Sequence, residues 1–173
     1  QYLSGVDHGL VIDMGGTTTD IAVVSNGMIQ VDHQAATIGS YRTCIRTIKS
    51  RSVGLGGDSR IIFDHWGNLT VGPERVIPFS RFCALNPQAS ADIYRWIDGN
   101  QSLHYSEKLE YWVLRREPRY AFDDKKTNHI IRLLQDRPHP FWVLREIVGP
   151  IAPILVRELI DLEIIERVGF TPT

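Results

Sequence analysis

The first half of the chain alternates short apolar runs with glycine-rich turns, a pattern that predicts β-strands rather than helices. The turn between two of these runs is Asn26-Gly27, and it predicts a tight hairpin because both residue types tolerate positive φ. The apolar runs that we interpret as strands span residues 8–13, 21–24, 28–31, 46–53, 60–64 and 68–71.

The second half carries longer side chains, and its apolar positions recur with helical spacing. Asp123 or Asp124 can cap a helix that runs to about Leu134, and Gly149-Pro150 stops the helix after it. The predicted helices span residues 91–97, 123–134, 140–148 and 152–160, and the predicted strands span residues 110–114 and 164–170. Two short helices after a first one, then a strand, give an order similar to that of a winged-helix domain.

A change of composition near Asn86-Pro87 predicts two domains. Residues 1–85 would form a β-rich half-lobe, and residues 86–173 would form a small helical, winged-helix-like segment. The expected fold class is therefore α/β, or α+β.

A winged-helix-like segment raises the question of nucleic-acid binding, and its charge argues against it. The candidate recognition helix and its exit, residues 152–166, carry one arginine against four acidic residues, namely Arg157 against Glu158, Asp161, Glu163 and Glu166. Phosphates would repel such a helix, so we expect a structural or interdomain module with no nucleic-acid partner.

The strongest chemical signal lies in residues 10–24, where an apolar strand ends at a carboxylate, Asp13. Gly15 and Gly16 follow, and without a Cβ their backbone can turn sharply and approach an anion closely. Successive N–H groups in such a turn form an anion-binding nest. The pattern predicts a phosphate-binding loop; the alternative is an ordinary tight hairpin.

Hydroxyl donors continue the same segment, because Thr17, Thr18 and Thr19 come directly after the two glycines. Asp20 then precedes a second apolar strand. A carboxylate cannot sensibly contact phosphate, so Asp13 would hold Mg²⁺ through water or orient an attacking water. The segment is neither a Walker A loop nor a dinucleotide fingerprint, because the element after the turn reads as a strand.

The segment from Asp13 to Asp20 resembles a phosphate-binding hairpin of the actin-like ATPase superfamily, and more closely that of the hydantoinase/oxoprolinase family (hydantoinase A type). The segments at residues 52–61 and 67–74 are similar to downstream Gly-rich and Gly-Pro segments of that family. The resemblance implies an enzyme that couples ATP hydrolysis to opening a cyclic amide, while some relatives carboxylate ketones instead.

The resemblance also implies roles for individual residues. Asp13 and Asp20 would belong to the shell of Mg²⁺ and water, and are the predicted catalytic residues. The hairpin glycines and threonines would cradle the phosphates of ATP. Cofactors would therefore be ATP and Mg²⁺, with Asp13 as the predicted metal residue.

A second glycine-rich segment, Gly54-Leu55-Gly56-Gly57-Asp58-Ser59, leaves two interpretations open. Gly56 and Gly57 could contact a purine or phosphate, or could connect two strands that pack closely. Asp58 and Ser59 are the polar residues that could reach the ligand, or they could cap the following element.

The composition is that of an ordinary globular protein, with 43% hydrophobic residues and a formal net charge of −1. Such a charge gives no general attraction to nucleic acid or anionic membrane. No apolar stretch is long enough to span a bilayer, and Cys44 and Cys83 show no metal-ligand spacing. We expect a cytoplasmic protein.

The chain starts at Gln1 and stops at Thr173, which predicts a fragment of a longer protein. Relatives carry another phosphate hairpin near their N-terminus, so the other lobe would come from the same chain or a partner chain. The isolated fragment would have little or no turnover. Two alternatives remain open, a small-molecule kinase and a non-catalytic nucleotide switch, and the substrate and oligomeric state are not predicted.

Overall fold

The computed structural model describes residues 5–32, 37–38, 40–42, 47–64, 66–98 and 109–173. It has a mixed α/β architecture and divides into two compact units, Gln1–Gly57 and Asp58–Thr173. The composition change near residues 80–90 falls inside the second unit, between two helices, and the division of the protein into domains at residue 85 stays a prediction. Cys44 lies outside the described residues.

The first unit consists of strands in its described part. Strand β1 (Gly9–Met14) pairs antiparallel with β2 (Thr19–Ser25), which also pairs with β3 (Met28–Ile29) and β8 (Ser50–Val53). Two small ladders join β4 (Val31–Asp32) to β7 (Thr47–Ile48), and β5 (Thr37–Ile38) to β6 (Tyr41–Arg42). The runs predicted at residues 28–31 and 46–53 are thus each split, the second with residue 46 outside the described part.

The turn between β2 and β3 confirms the predicted hairpin. Asn26 and Gly27 have φ of 50° and 69°, the two positive values that a type I′ connection requires. The Gly27 N–H also donates to the Asp7 carbonyl at 2.8 Å, which ties this turn to the entry of β1.

Strand β1 lies at an edge, since β2 is its one partner within the described part of the chain. Its apolar side chains are exposed on both faces, with Leu10 65% and Ile12 60% exposed on one face and Val11 45% exposed on the other. A strand that is apolar on both faces is typical of a position that is covered on both sides.

The second unit begins with a hairpin of β9 (Ser59–Phe63) and β10 (Leu69–Arg75). A mixed four-stranded sheet follows, in which β11 (Ile77–Pro78) is parallel to β14 (Ile165–Gly169). Strand β12 (Tyr111–Leu114) is antiparallel to both β14 and β13 (His139–Pro140). The hairpin and the strands at β12 and β14 are as predicted, and β11 and β13 were not predicted.

Five helices are present in the part of the chain that the structure describes: α1 (Phe79–Leu85), α2 (Pro87–Asp98), α3 (Lys125–Asp136), α4 (Phe141–Val148) and α5 (Ala152–Asp161). The last four confirm the predicted helices, whereas α1 was not predicted. Asp124, not Asp123, caps α3, because its Oδ2 accepts from the Thr127 N–H at 2.7 Å. None of these helices is long and apolar enough to cross a bilayer.

The core of the second unit lies between its sheet and α3, α4 and α5. Trp112, Ile130, Leu144 and Leu159 are each at most 1% exposed and belong to one apolar cluster. Burial of side chains of this size stabilises the fold by about 1.5–3 kcal/mol each. The amphipathic spacing seen in the sequence therefore places the helices on the sheet as expected.

An ionic network that runs from buried Arg60 and Glu110 to exposed Glu74 ties the β9–β10 hairpin to the sheet. Arg60 Nε lies 2.6 Å from Glu110 Oε1, and Arg60 Nη1 lies 2.9 Å from Glu74 Oε2. Arg167 Nη1 lies 2.6 Å from the other Glu74 oxygen, and its guanidinium lies 4.8 Å from the Trp112 ring centroid. Burial alone would lower the pKa of Arg60, but Glu110 and Glu74 outweigh it and raise that pKa.

Candidate functional site

The β1–β2 hairpin brings the two predicted catalytic carboxylates together. Asp13 and Asp20 are direct cross-strand partners, so their side chains leave the same face of the sheet as neighbours. Neither carboxylate is paired with a cation among the described residues. Like charges at such a position destabilise a hairpin, so the arrangement favours a cation that is shared between them.

Ser52 extends this pair into a row of three polar residues. On the far side of β2, Asp20 is the cross-strand partner of Ser52 in β8. The side chains of Asp13, Asp20 and Ser52 therefore lie side by side on one face of the sheet. Ser52 has no signal of its own in the sequence, because its place in the row depends on the β2–β8 register.

The tip of the hairpin leaves a set of backbone donors available. The Gly15 N–H donates to the Thr18 carbonyl at 2.9 Å, which closes the turn. The backbone N–H groups of Gly16, Thr17 and Thr18 make no intramolecular hydrogen bond within the described part of the chain. Gly16 and Thr17 are also exposed, so the tip can offer successive N–H groups and hydroxyls to an anion.

Gly56 and Gly57 lie directly against the hairpin, although they are about forty residues further along the chain. The Gly57 N–H donates to the Gly15 carbonyl at 2.9 Å. A Cβ built at Gly56 would lie 2.6 Å from both the Gly15 oxygen and the Gly16 carbonyl carbon. The segment therefore packs closely against another part of the backbone, as one of its two interpretations required. Contact of Gly56 and Gly57 with a ligand, the other interpretation, stays a prediction.

Thr19 differs in position from the other two threonines. It is 5% exposed, and its hydroxyl donates to the Leu55 carbonyl at 2.5 Å. Because successive residues of a strand face opposite sides, Thr19 points away from the face that carries Asp20. Its hydroxyl therefore joins the hairpin to the second glycine segment, while Thr17 and Thr18 remain at the tip.

Asp58 and Ser59 belong to the second unit, unlike the other predicted site residues. The Asp58 carboxylate lies 3.4 Å from Arg75 Nη2, and its carbonyl accepts from the Val76 N–H at 3.0 Å. Ser59 is fully buried. The two residues therefore anchor the start of the β9–β10 hairpin in this unit. Their contact with a ligand stays a prediction.

The residues of the first unit fit a hard divalent cation such as Mg²⁺. Mg²⁺ is usually bound by one or two carboxylates together with phosphate oxygens and water. Asp13 and Asp20 supply two adjacent carboxylates, and the exposed tip beside them carries N–H and hydroxyl donors. Within the described ranges, no group of three or more His, Cys, Asp or Glu residues could hold a metal ion by itself.

Comparison with known proteins finds a family profile that matches the same part of the chain. Residues 1–82 match the sequence profile of the Hydantoinase/oxoprolinase family. This range contains the whole first unit and the β9–β10 hairpin. The match confirms the resemblance that the segment from Asp13 to Asp20 indicated.

Two individual proteins are similar over part of the chain. Caprolactamase subunit alpha of Pseudomonas jessenii is 33% identical over 69 residues, which is 40% of this chain and 10% of that protein. A nucleotide-free acetone carboxylase structure aligns with 43% of this chain and 10% of its own, at 23% identity and a TM-score of 0.34. The chain therefore spans about a tenth of the length of these relatives.

Proposed function

We propose that this chain, whose residues 1–82 carry a hydantoinase/oxoprolinase segment, supplies half of the Mg-ATP site of an enzyme that opens cyclic amides. The observation that carries the proposal is the pairing of Asp13 with Asp20 beside an exposed glycine–threonine tip. An ATP-dependent function related to cyclic amides agrees with the family and with the caprolactamase relative.

The residues would have three roles: binding phosphate, binding Mg²⁺ and supporting the hairpin tip. The N–H groups of Gly16, Thr17 and Thr18 would bind phosphate oxygens, since no partner within the described chain occupies them. Asp13 and Asp20 would hold Mg²⁺, which when bound neutralises phosphate charge. Gly56 and Gly57 would keep the tip rigid, because a backbone hydrogen bond fixes the Gly15 carbonyl.

The fold proposal follows the same division. We interpret the first unit as part of an actin-like ATPase half-lobe whose phosphate loop is the β1–β2 hairpin. We interpret the α3–α5 helices and β14 as a winged-helix-like interdomain module. The exposed side of α5 supports a protein partner over nucleic acid, because exposed Glu158 and Asp161 outweigh exposed Arg157.

The first experiment is a calorimetric titration with Mg-ATP and Mg-ADP, on this chain and on the protein that contains it. We expect Mg²⁺-dependent binding that weakens at least ~10-fold in Asp13→Asn, because a lost ligand or its support costs that much in metal sites. The matched control is Asp7→Asn, which makes the same change at an exposed aspartate before β1. If the whole protein binds Mg-ATP with the same affinity with and without the Asp13→Asn substitution, the proposed site is refuted.

The second experiment separates the candidate activities. ATP hydrolysis by the whole protein would be measured with 5-oxoproline, hydantoin and caprolactam, together with the products. Stimulated hydrolysis with ring opening supports the proposal. A stable phosphorylated product would indicate a small-molecule kinase, and nucleotide binding without turnover would indicate a switch.

A further inference from the structure

The second unit contains a cavity of about 510 Å³ that has no part in the nucleotide proposal. It lies between α2, β12 and the chain from Arg137 to Val143. Cavities that bind small molecules are typically 300–1,000 Å³, with an apolar lining and a few polar groups that fix the orientation of the ligand. This cavity has both properties.

The floor of the cavity is apolar and aromatic. Phe82, Ala89 and Tyr111 are each 5% exposed and belong to one apolar cluster, and Val143 contributes a half-buried side chain to the wall. The rings of Phe82 and Tyr111 have centroids 5.3 Å apart, so they form one continuous surface. Such a surface suits the flat or aliphatic body of a small organic molecule.

One wall carries a carboxylate that is already satisfied. Asp92 Oδ1 lies 3.3 Å from Arg95 Nη1 and accepts from Gln88 Nε2 at 3.2 Å. Its other oxygen accepts from the Tyr111 hydroxyl at 3.5 Å. Asp92 and Arg95 therefore cancel in charge, and burial together with Asp92 raises the pKa of Tyr111 to about 12, which keeps that hydroxyl protonated.

The opposite wall carries a positive charge that no ion pair neutralises within the described part of the chain. Arg137 is exposed and makes no ion pair with any residue that the structure describes. His139 beside it is 7% exposed, and burial followed by the charge of Arg137 lowers the pKa of its imidazole. The histidine is thus neutral near pH 7, and the lining keeps one net positive charge, at Arg137.

We propose that this cavity binds a small organic carboxylate, with the carboxylate group at Arg137 and the apolar body against Phe82 and Tyr111. A guanidinium pairs with a carboxylate through two parallel N–H donors, so charge and geometry both favour this group over a neutral one. The apolar floor then selects against small inorganic anions, which would leave it uncovered.

The test compares two ligands of the same shape, phenylacetate and phenylacetamide, by saturation-transfer NMR titration of the 173-residue chain. For ligands this small, we expect phenylacetate to bind with a Kd on the order of 1 mM and the amide to bind at least ~10-fold more weakly. Saturable binding of both ligands with equal affinity would overturn the proposal, as would no saturable binding of phenylacetate.

Variants locate the site. In the Arg137→Gln variant, the two ligands should bind with equal, weak affinity. The matched control is Arg132→Gln, because Arg132 is an exposed arginine on α3 outside the cavity. This control should leave the affinities of both ligands unchanged. Val143→Phe should fill the cavity and weaken phenylacetate without changing any charge. Circular dichroism confirms that each variant folds. An Arg137→Gln variant that folds and binds phenylacetate like the original would overturn the assignment.

Discussion

Gly56 approaches the Gly15 carbonyl so closely that a side chain at residue 56 would have its Cβ 2.6 Å from the Gly15 oxygen. No real Cβ contact is this short, and the atoms it would meet are backbone that cannot turn away. The position of the β1–β2 hairpin tip thus depends on a glycine far from it in the sequence.

We therefore expect Gly56→Ala to destabilise the first unit by at least ~2 kcal/mol, because an overpacked backbone contact must move apart. Nucleotide binding should weaken with it. Gly15→Ala is the matched control for stability, since its Cβ would meet the Thr18 carbonyl at an ordinary 3.6 Å. Urea denaturation of both variants measures the difference, and equal stability losses would contradict the expected clash.

The Asp13–Asp20 pair predicts opposite effects on stability and on binding. Asp20→Asn removes a like-charge cross-strand repulsion, so without Mg²⁺ the hairpin should be more stable by about 0.2–1 kcal/mol. The same variant should bind Mg-ATP at least ~10-fold more weakly. Denaturation without metal and calorimetry with metal measure both effects, and a variant that loses stability in the absence of Mg²⁺ would argue against a site built for a cation.

The buried pair of Arg60 and Glu110 should be sensitive to the loss of either charge. Glu110 is 2% exposed and Arg60 is 6% exposed, with 2.6 Å between Nε and Oε1. Glu110→Gln leaves a buried guanidinium poorly compensated, which costs about 3–5 kcal/mol in comparable cases. Glu146→Gln, at an exposed position on α4, is the control, and equal midpoints in urea for the two variants would contradict the prediction.

The cap of α3 gives a prediction that separates two adjacent aspartates. Hydrogen bonds from the Thr127 side chain and backbone lower the pKa of Asp124, so its contribution to stability is present above the unfolded pKa. That contribution is lost as pH falls through the lowered folded pKa. Asp124→Ala should reduce Tm by a few degrees near pH 7, and Asp123→Ala should change it little. Thermal scans at pH 7 and pH 3 measure this, and equal Tm values for the two variants would contradict it.

His139 also predicts a loss of stability at low pH, but here the cause is burial of the neutral imidazole rather than hydrogen bonding. Burial, and then the charge of Arg137, lower the pKa of His139, so the folded state keeps it neutral where the unfolded state takes up a proton. Stability should therefore fall as pH drops from about 6.5 through the lowered folded pKa. His139→Gln should remove this part of the pH dependence in urea denaturation between pH 5 and 8. A variant with the original slope would contradict the assignment.

The local elements of this fold could be predicted from the sequence because their signals are local. Asn26-Gly27 requires positive φ at both residues, and the apolar spacing of α3 and α5 matches one buried face. Helix α1 was missed because its seven residues, Phe79–Leu85, are too few for apolar spacing to distinguish a helix from a strand.

The site divides in the same way. The pairing of Asp13 with Asp20 follows from a two-stranded hairpin and could be expected from the motif. The place of Ser52 beside them depends on the register of a strand more than thirty residues away, and so does the hydrogen bond from the Thr19 hydroxyl to the Leu55 carbonyl just beyond that strand. The separation of Asp58 and Ser59 into the second unit likewise depends on tertiary contacts that no short pattern contains.

The exposed edge of β1 determines how the protein has to be handled. Within the described part of the chain, the outer edge of β1 has no pairing strand and its apolar side chains are exposed on both faces, so it is a template for growth by other chains. Solutions in which nothing covers it should scatter light increasingly with concentration, and during synthesis it should attract chaperones. The six residues of β1, which include the proposed metal residue Asp13, thus also set how dilute the protein must be kept.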